Sequence, residues 1–384
     1  MIFKEAYSIR VVGDRCLNQR HHAVECNHCL EHCPSKAIIT GEQGLAIDED
    51  KCSGCGLCLT DCPTQVFQAE HWDEVVIQQD IKDQGWSITE FFCGEHTKPF
   101  KKERNTERGA VQIPACLGSI SRGAWYELGL ATELELHLEE CGHCPLKKAL
   151  DRLNYNISMA SEWLEASGHT AKISYITQGS TGKTKKNLKA IETGLKVTSR
   201  RDLFLSLIAK GKGAVENLTI GPKILPVGHR QKQLDSLLPS WQKRLSQVYQ
   251  QNFLGDDSPA YWPTIKKNDN CMSCGLCINM CPTGTLQIKV DDNNCTHYFT
   301  GILCLDCRIC QLFCPREAIS RDRELVEKPF ERVTIFTTSI IQCEKCGKPA
   351  VENSEHLCYW CKEELANDNN LMESCRNLFL KTEN

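Results

Sequence analysis

The residues best equipped for chemistry in this chain are its cysteines, 26 among 384 residues. Residues 52–63 read Cys52-Ser-Gly-Cys55-Gly-Leu-Cys58-Leu-Thr-Asp-Cys62-Pro63, the run C-x2-C-x2-C-x3-C-P. Three cysteines two residues apart wrap one face of an iron–sulfur cubane, and the fourth, before proline, turns away to ligate the other cluster of a pair. Gly54 and Gly56 let backbone N–H groups approach the sulfurs. The bland alternative, a zinc knuckle, needs only two cysteine pairs. Upstream, Cys26-Asn-His-Cys29-Leu-Glu-His-Cys33-Pro34 carries the last three cysteines of the same run, with Ala23 where the first belongs. Cys16 is the only cysteine further upstream and is expected to be the displaced ligand. Crossed pairing then predicts one cluster on Cys16, Cys26, Cys29 and Cys62, and a second on Cys52, Cys55, Cys58 and Cys33. The Cys-Pro steps lead into Ala37-Ile38-Ile39 and Val66-Phe67, read as small helix-to-strand pieces over the clusters.

The signature repeats near the other end. Cys271-Met-Ser-Cys274-Gly-Leu-Cys277-Ile-Asn-Met-Cys281-Pro282 is complete, as is Cys304-Leu-Asp-Cys307-Arg-Ile-Cys310-Gln-Leu-Phe-Cys314-Pro315. The same rule predicts a third cluster on Cys271, Cys274, Cys277 and Cys314, and a fourth on Cys304, Cys307, Cys310 and Cys281. Cys295 is left over, either an alternative to Cys304 as first ligand or a plain buried thiol. Residues 1–80, with a longer loop after Cys16, resemble the bacterial two-cluster 4Fe-4S ferredoxins, and two such modules in one chain resemble the polyferredoxin-type electron-transfer subunits.

Between the modules the pattern changes. Residues 88–93, 110–116, 134–141 and 173–176 read as strands. Residues 121–131 read as a short helix, and residues 145–164 as a longer one with Pro145 in its first turn. Strand–helix alternation argues a small parallel α/β sheet, whose strands end along one edge. Cys93, Cys116, Cys141 and Cys144 follow three of those strands, so four scattered thiols are expected to meet. Cys93, Ala115-Cys116-Leu117-Gly118 and Glu140-Cys141-Gly-His-Cys144 resemble the delta subunit of methyl-viologen-reducing hydrogenases, an iron–sulfur protein that passes electrons to a flavin-bearing partner. That resemblance implies a 2Fe-2S cluster on the four cysteines. By residue type alone, a zinc site and unligated buried thiols stay open.

Residues 179–232 hold 12 Lys/Arg against 3 Asp/Glu, a local excess of +9 in a chain of net charge −4. The strip is either a solvated face or a docking strip for an acidic partner. Gly179-Ser-Thr-Gly182-Lys183-Thr184 imitates a phosphate loop but has Thr177 where the motif needs glycine. Ser199-Arg200-Arg201 imitates an export signal but is internal, with no apolar core after it. Leucines and Trp241 across residues 234–249 recur at helical spacing and predict a helix packed between the modules. Beyond a β-branched run at 333–341, Cys343-Glu-Lys-Cys346-Gly347 and Cys358-Tyr-Trp-Cys361 form two C-x2-C knuckles. Four facing thiolates of this kind suit structural zinc, with a fifth iron–sulfur site as rival. Cys375 and the polar tail from about residue 367 receive no role.

The expected fold is α+β and multidomain: two ferredoxin-like 2x(4Fe-4S) modules flanking a small α/β domain, with a C-terminal zinc-ribbon-like piece. Boundaries are placed at 1–80, 81–178, 179–264, 265–328 and 329–384. Near-balanced charge excludes a uniformly basic nucleic-acid binder. There is no run of about 18 apolar residues and no export leader, so a cytoplasmic protein without a membrane span is expected. His21, His22, His28 and His32 crowd the first cluster; they could ligate or tune it, and are read as solvent-exposed or shielding. With no catalytic constellation, the expected role is an electron conduit of four 4Fe-4S clusters. It would serve an anaerobic oxidoreductase (hydrogenase, formate dehydrogenase or other molybdenum or tungsten enzyme), a flavin subunit or a redox carrier. The alternative is a redox-responsive regulator or assembly factor that binds nucleic acid or a client enzyme.

Overall fold

The structure is a computed structural model that describes residues 9–20, 24–41, 44–69, 73–94, 107–177, 189–192, 237–255, 259–291 and 293–366. The chain divides into two compact units, residues 1–260 and 261–384.

The first unit opens with β1 (Ile9–Val11), α1 (Leu17–Arg20), α2 (His28–His32), β2 (Ile38–Gly41), β3 (Gly44–Ile47), α3 (Leu57–Asp61) and β4 (Phe67–Ala69). β1 pairs antiparallel with β4, and β2 with β3. The two short ribbons bury Ile38, Val66 and Phe67 against Leu59, Cys16 and Cys62. A core this small leans on whatever the thiols bind, as metal sites supply folding energy to small domains.

Next come α4 (Glu74–Gln84), β5 (Ile88–Phe92), β6 (Arg108–Gln112), α5 (Arg122–Ala131), β7 (Glu133–His137), α6 (Ala149–Ala166), β8 (Ile173–Ile176) and β9 (Lys189–Glu192). The strands form one sheet in the order β8-β7-β5-β6-β9, every pair parallel. β5 to β8 are the strands of the expected α/β sheet, and β9 adds a fifth from the stretch read as a linker. Phe91, Val111, Leu134 and Leu136 are fully buried in it, as are Trp125 and Tyr126 of α5. Each such side chain contributes about 1.5–3 kcal/mol on leaving water. Asp73 caps α4 and Ser121 caps α5 through their side-chain oxygens, which satisfies amides the first turn leaves open.

Local boundaries differ from expectation around the cysteines. β7 stops at His137, and residues 138–148 form turns, so α6 begins at Ala149 rather than Pro145. α7 (Ser240–Gln251) overlaps the stretch where leucine spacing predicts a helix, but it starts after Leu237 and Leu238, and its packing partner is α5 of the same unit. A Cβ at Gly123 would come within 2.9 Å of the Trp241 ring, so glycine there admits the indole. Arg122 stacks over Trp241 at 4.8 Å, and Arg244 pairs with Glu74 and Glu127 at 3.1 Å each.

The second unit contains β10 (Ala260–Lys267, starting at the border), α8 (Leu276–Asn279), β11 (Leu286–Val290), β12 (Asn294–Phe299), α9 (Ile309–Leu312), β13 (Ile319–Val326), β14 (Val333–Gln342) and β15 (Pro349–Val351). β10 pairs with β13. β11, β12, β14 and β15 form one antiparallel sheet in that order. The β-branched run at 333–341 is therefore the strand that ties the cysteine knuckles to the ferredoxin-like part. The phosphate-loop and twin-arginine look-alikes, the basic strip apart from the β9 backbone, His21, His22 and Cys375 lie outside the described residues.

Candidate iron–sulfur centres

Each complete cysteine run folds the same way. Its first part is an open loop, and a one-turn helix starts just before the third cysteine. The residue ahead of that helix is left-handed: Gly56 at φ 78°, Gly275 at φ 79° and Arg308 at φ 60°. Glycine takes that conformation without cost, whereas Arg308 holds it against a penalty of about 1 kcal/mol.

The folded loops bring the thiols together across the runs. Burial raises the Cys29 thiol to about 12, and neighbouring Cys62, Cys26 and Cys16 add to it. Cys26 is raised by burial and by Cys62 and Cys16. Cys55 and Cys58 are raised by burial and by Cys33 and Cys52. In the second unit, Cys274 is raised by burial and by Cys271 and Cys314. Burial pushes Cys307 up to about 12, with Cys304 and Cys281 contributing. Four neighbourhoods result, each with three cysteines of one run and the last of its companion, Cys16 standing in as the displaced member. Thiols raised in this way are protonated on their own, and metal uptake releases those protons.

The donor sets suit a cluster. Backbone amides point at the sulfurs: Ala37 N to Cys33 Sγ at 3.3 Å, Val66 N to Cys62 Sγ at 3.3 Å and Ala318 N to Cys314 Sγ at 3.2 Å. Such bonds favour sulfur that carries negative charge. Among the described residues, only one set of three or more cysteine sulfurs lies wholly within 4.8 Å, and it belongs to none of these four neighbourhoods. The four sets are thus too open for a single ion at metal–sulfur distances of about 2.3 Å, and open enough for a cubane. Cys295 is buried beside Cys271 and Ser273, in the third neighbourhood rather than near Cys304.

Cys93, Cys116, Cys141 and Cys144 follow the carboxyl ends of β5, β6 and β7 and line a single cavity of about 160 Å³. Burial raises Cys116 to about 12, helped by Cys55, Cys93 and Cys141. Cys141 rises to about 11 through burial, Cys93 and Cys144. The Cys116 amide donates to the Cys55 carbonyl at 3.2 Å. Cys55, Leu57, Leu146 and Ala149 form one apolar cluster with Cys116 and Cys144 packed on it. The central thiols therefore abut the neighbourhood of Cys33, Cys52, Cys55 and Cys58.

The tight set is Cys343, Cys346, Cys358 and Cys361, all within 4.8 Å. Cys346 Sγ and Cys358 Sγ stand 3.7 Å apart. Zn–S bonds of about 2.3 Å at tetrahedral angles need about 3.8 Å between sulfurs. The Cys358, Cys346 and Lys345 amides hold the Cys343 thiol below its ordinary value. Trp360, between the last two cysteines, donates its indole N–H to the Cys274 carbonyl at 3.1 Å.

Several polar groups around these sites carry no signal in the cysteine spacing. Asp61 is buried on α3 between His32 Nδ1 and Arg152 Nη2, each at 2.5 Å. Glu90, Glu135 and His137 also lie within 4.8 Å of one another. Their cation is already present, since Arg108 Nη1 reaches Glu90 at 2.7 Å and Glu135 at 2.5 Å. His137 also bonds Glu139 at 3.0 Å and stacks on Phe92 with ring centroids 4.0 Å apart. In the second unit, Lys267 Nζ donates to Cys277 Sγ at 3.2 Å. Burial raises Cys277, and that ammonium opposes the rise. Burial and Lys267 together hold His297 down to about 3.

Comparison with known proteins matches the geometry. Residues 22–66 match the 4Fe-4S dicluster domain, and residues 265–287 match the 4Fe-4S binding domain. A ferredoxin of Rickettsia felis is 32% identical over 83 residues, which is 20% of this chain and 69% of the relative. The chain belongs to the 4Fe-4S ferredoxin family. Ferredoxin-1 of Caulobacter vibrioides is 37% identical over 66 residues, 17% of this chain and 52% of the relative. The pyruvate synthase subunit PorD of Methanocaldococcus jannaschii is 44% identical over 45 residues, 12% of this chain and 52% of the relative. The chain thus spans about half the length of those two relatives. It is an iron–sulfur electron-transfer protein with ferredoxin-type domains near both ends. Among the described residues, no helix is long and apolar enough to cross a membrane.

Proposed function

We propose that this chain relays single electrons through four 4Fe-4S clusters as a subunit of an anaerobic oxidoreductase complex. The observation that carries this reading is the crossed grouping of sixteen thiols, three from one run and one from its companion, four times over. A cubane supplies a one-electron carrier with no need for a substrate pocket. In this reading Cys16, Cys26, Cys29 and Cys62 hold the first cluster, and Cys33, Cys52, Cys55 and Cys58 the second. Cys271, Cys274, Cys277 and Cys314 hold the third, and Cys281, Cys304, Cys307 and Cys310 the fourth.

The central cysteines extend the relay. Cys93, Cys116, Cys141 and Cys144 would hold a 2Fe-2S cluster, as the hydrogenase delta subunit resemblance implies. The Cys116–Cys55 hydrogen bond supports this station as the one next to the second cubane. Cys343, Cys346, Cys358 and Cys361 would hold one structural zinc in a ribbon-like piece, supported by their 3.7 Å sulfur spacing. The five segments drawn from the sequence are then two modules, a central station, a connecting stretch and a ribbon. The partner is a catalytic or flavin-bearing subunit or a soluble carrier; the PorD relatives, named as subunits of pyruvate synthase, support a place in an enzyme complex.

The test is the crossing itself. Under anaerobic reduction, Cys33→Ala and Cys55→Ala should each remove the same cubane EPR signal, and Cys62→Ala a different one. If Cys33→Ala and Cys29→Ala instead remove one shared signal, the runs are not crossed.

A further inference from the structure

Two of the thiol cages are built on one plan, which makes a difference between them informative. In the first unit, Asp48 N donates to Ala37 O and Ala37 N donates to Cys33 Sγ. In the second, Asn268 N donates to Ala318 O and Ala318 N donates to Cys314 Sγ. Asp48 and Asn268 are thus equivalent, so Ile47 and Lys267, one residue earlier, occupy the same place. Ile47 lines the cavity between Cys33, Cys52, Cys55 and Cys58, and Lys267 lines the one between Cys271, Cys274, Cys277 and Cys314. One cage has an alkyl wall where the other has an ammonium.

That ammonium is fixed in place. Lys267 Nζ lies 3.2 Å from Cys277 Sγ and 2.6 Å from His297 Nδ1. His297 is 1% exposed and sits at the bulge of β12, with the Phe336 ring edge-on at 5.6 Å. With Nδ1 accepting from the lysine, Nε2 carries the hydrogen and donates to Ser273 Oγ at 3.0 Å. Among the described residues, Lys267 pairs with no carboxylate. Arg321, the cation beside Cys304 of the companion cage, pairs with Asp306.

We infer that Lys267, positioned by His297, raises the reduction potential of the cluster held by Cys271, Cys274, Cys277 and Cys314 and makes it the resting place of the electron in the second module. This inference rests on the 4Fe-4S reading of that cage. One electron arrives from a low-potential one-electron reductant; no bond is made or broken and no proton is needed. The added negative charge spreads onto the cysteine sulfurs, so a cation hydrogen-bonded to one of them stabilises the reduced form more than the oxidised one. Ile47 offers the matching cage no such partner.

The experiment is an EPR-monitored redox titration of the full chain, purified without oxygen, as wild type, Lys267→Ile and Lys267→Arg, with dithionite as reductant. Iron and acid-labile sulfide are counted on the same samples. The expected result is full iron in Lys267→Ile with one midpoint lowered. At a fixed ambient potential, the reduced-to-oxidised ratio of that cluster falls about tenfold, equal to 59 mV for one electron. The other midpoints stay put, and Lys267→Arg restores most of the shift. Full iron with unmoved midpoints overturns the inference, as does an equal drop in Lys267→Arg and Lys267→Ile. If Lys267→Ile loses iron, Lys267→Gln, which keeps an N–H donor without the charge, is judged by the same midpoint. Wild-type protein without 4Fe-4S signals would sink the cluster reading itself, a result distinct from an unmoved midpoint.

Discussion

At the residue scale, the ferredoxin-type domains were legible from sequence because iron–sulfur ligation dictates cysteine spacing, and the crossed rule leads one to expect the last thiol of each run beside its companion. The polar groups beside those cysteines were not legible. Lys267 meets His297 from 30 positions away, and Asp61 meets His32 and Arg152 from 29 and 91 positions away; no local pattern announces such pairs. His137 is the clearest case with a consequence in solution. Burial alone would lower its pKa, but its N–H groups donate to Glu90 and Glu139, which outweighs that, and the net shift is upward. A histidine raised on folding stabilises the protein fully below its unfolded value of about 6.5, and that contribution is lost as pH climbs through the folded value. We expect the melting-temperature gap between wild type and His137→Gln to be widest under mildly acidic conditions and to shrink on the alkaline side. A gap that stays constant, or widens with pH, would show that the imidazolium is not what Glu90 and Glu139 hold.

At the element scale, the parallel sheet was legible because strand and helix periodicities alternate, and it duly delivers Cys93, Cys116, Cys141 and Cys144 to one edge. Element ends near those cysteines were misplaced for a physical reason. Leu138 continues the alternation of Leu134 and Leu136, yet residues 138–148 turn and carry Cys141 and Cys144, so β7 ends early and α6 starts late. The join between β12 and β14 was hidden as well, since antiparallel partners far apart in sequence leave no spacing to read. A tight seam between elements lies at Gly118, in the turn after Cys116. A Cβ there would stand 2.7 Å from Leu57 Cδ2 on α3, 3.3 Å from the Ala149 carbonyl on α6 and 3.7 Å from Cys116 Sγ. Gly118→Ala should therefore cost about 1–3 kcal/mol by overpacking, read as a lower urea midpoint with an unchanged slope. It should also perturb the central site's spectrum more than those of the second unit. An alanine variant as stable as wild type would mean that α3 and α6 are free to separate.

At the scale of the whole molecule, the chain is an iron–sulfur electron-transfer protein whose described residues gather their cysteines rather than a catalytic constellation. Two ferredoxin-type domains, a cavity ringed by four thiols beside the first of them, and a tight four-cysteine set in the second unit are all organised around sulfur. The most direct measurement is the stoichiometry of iron, acid-labile sulfide and zinc in protein purified without oxygen, alongside EPR on stepwise reduction. The proposed relay should hold about 18 iron atoms, sixteen in four cubanes and two in the central site, about the same number of sulfides, and one zinc. Colourless protein with zinc in place of iron, or with its cysteines joined as disulfides, would contradict it.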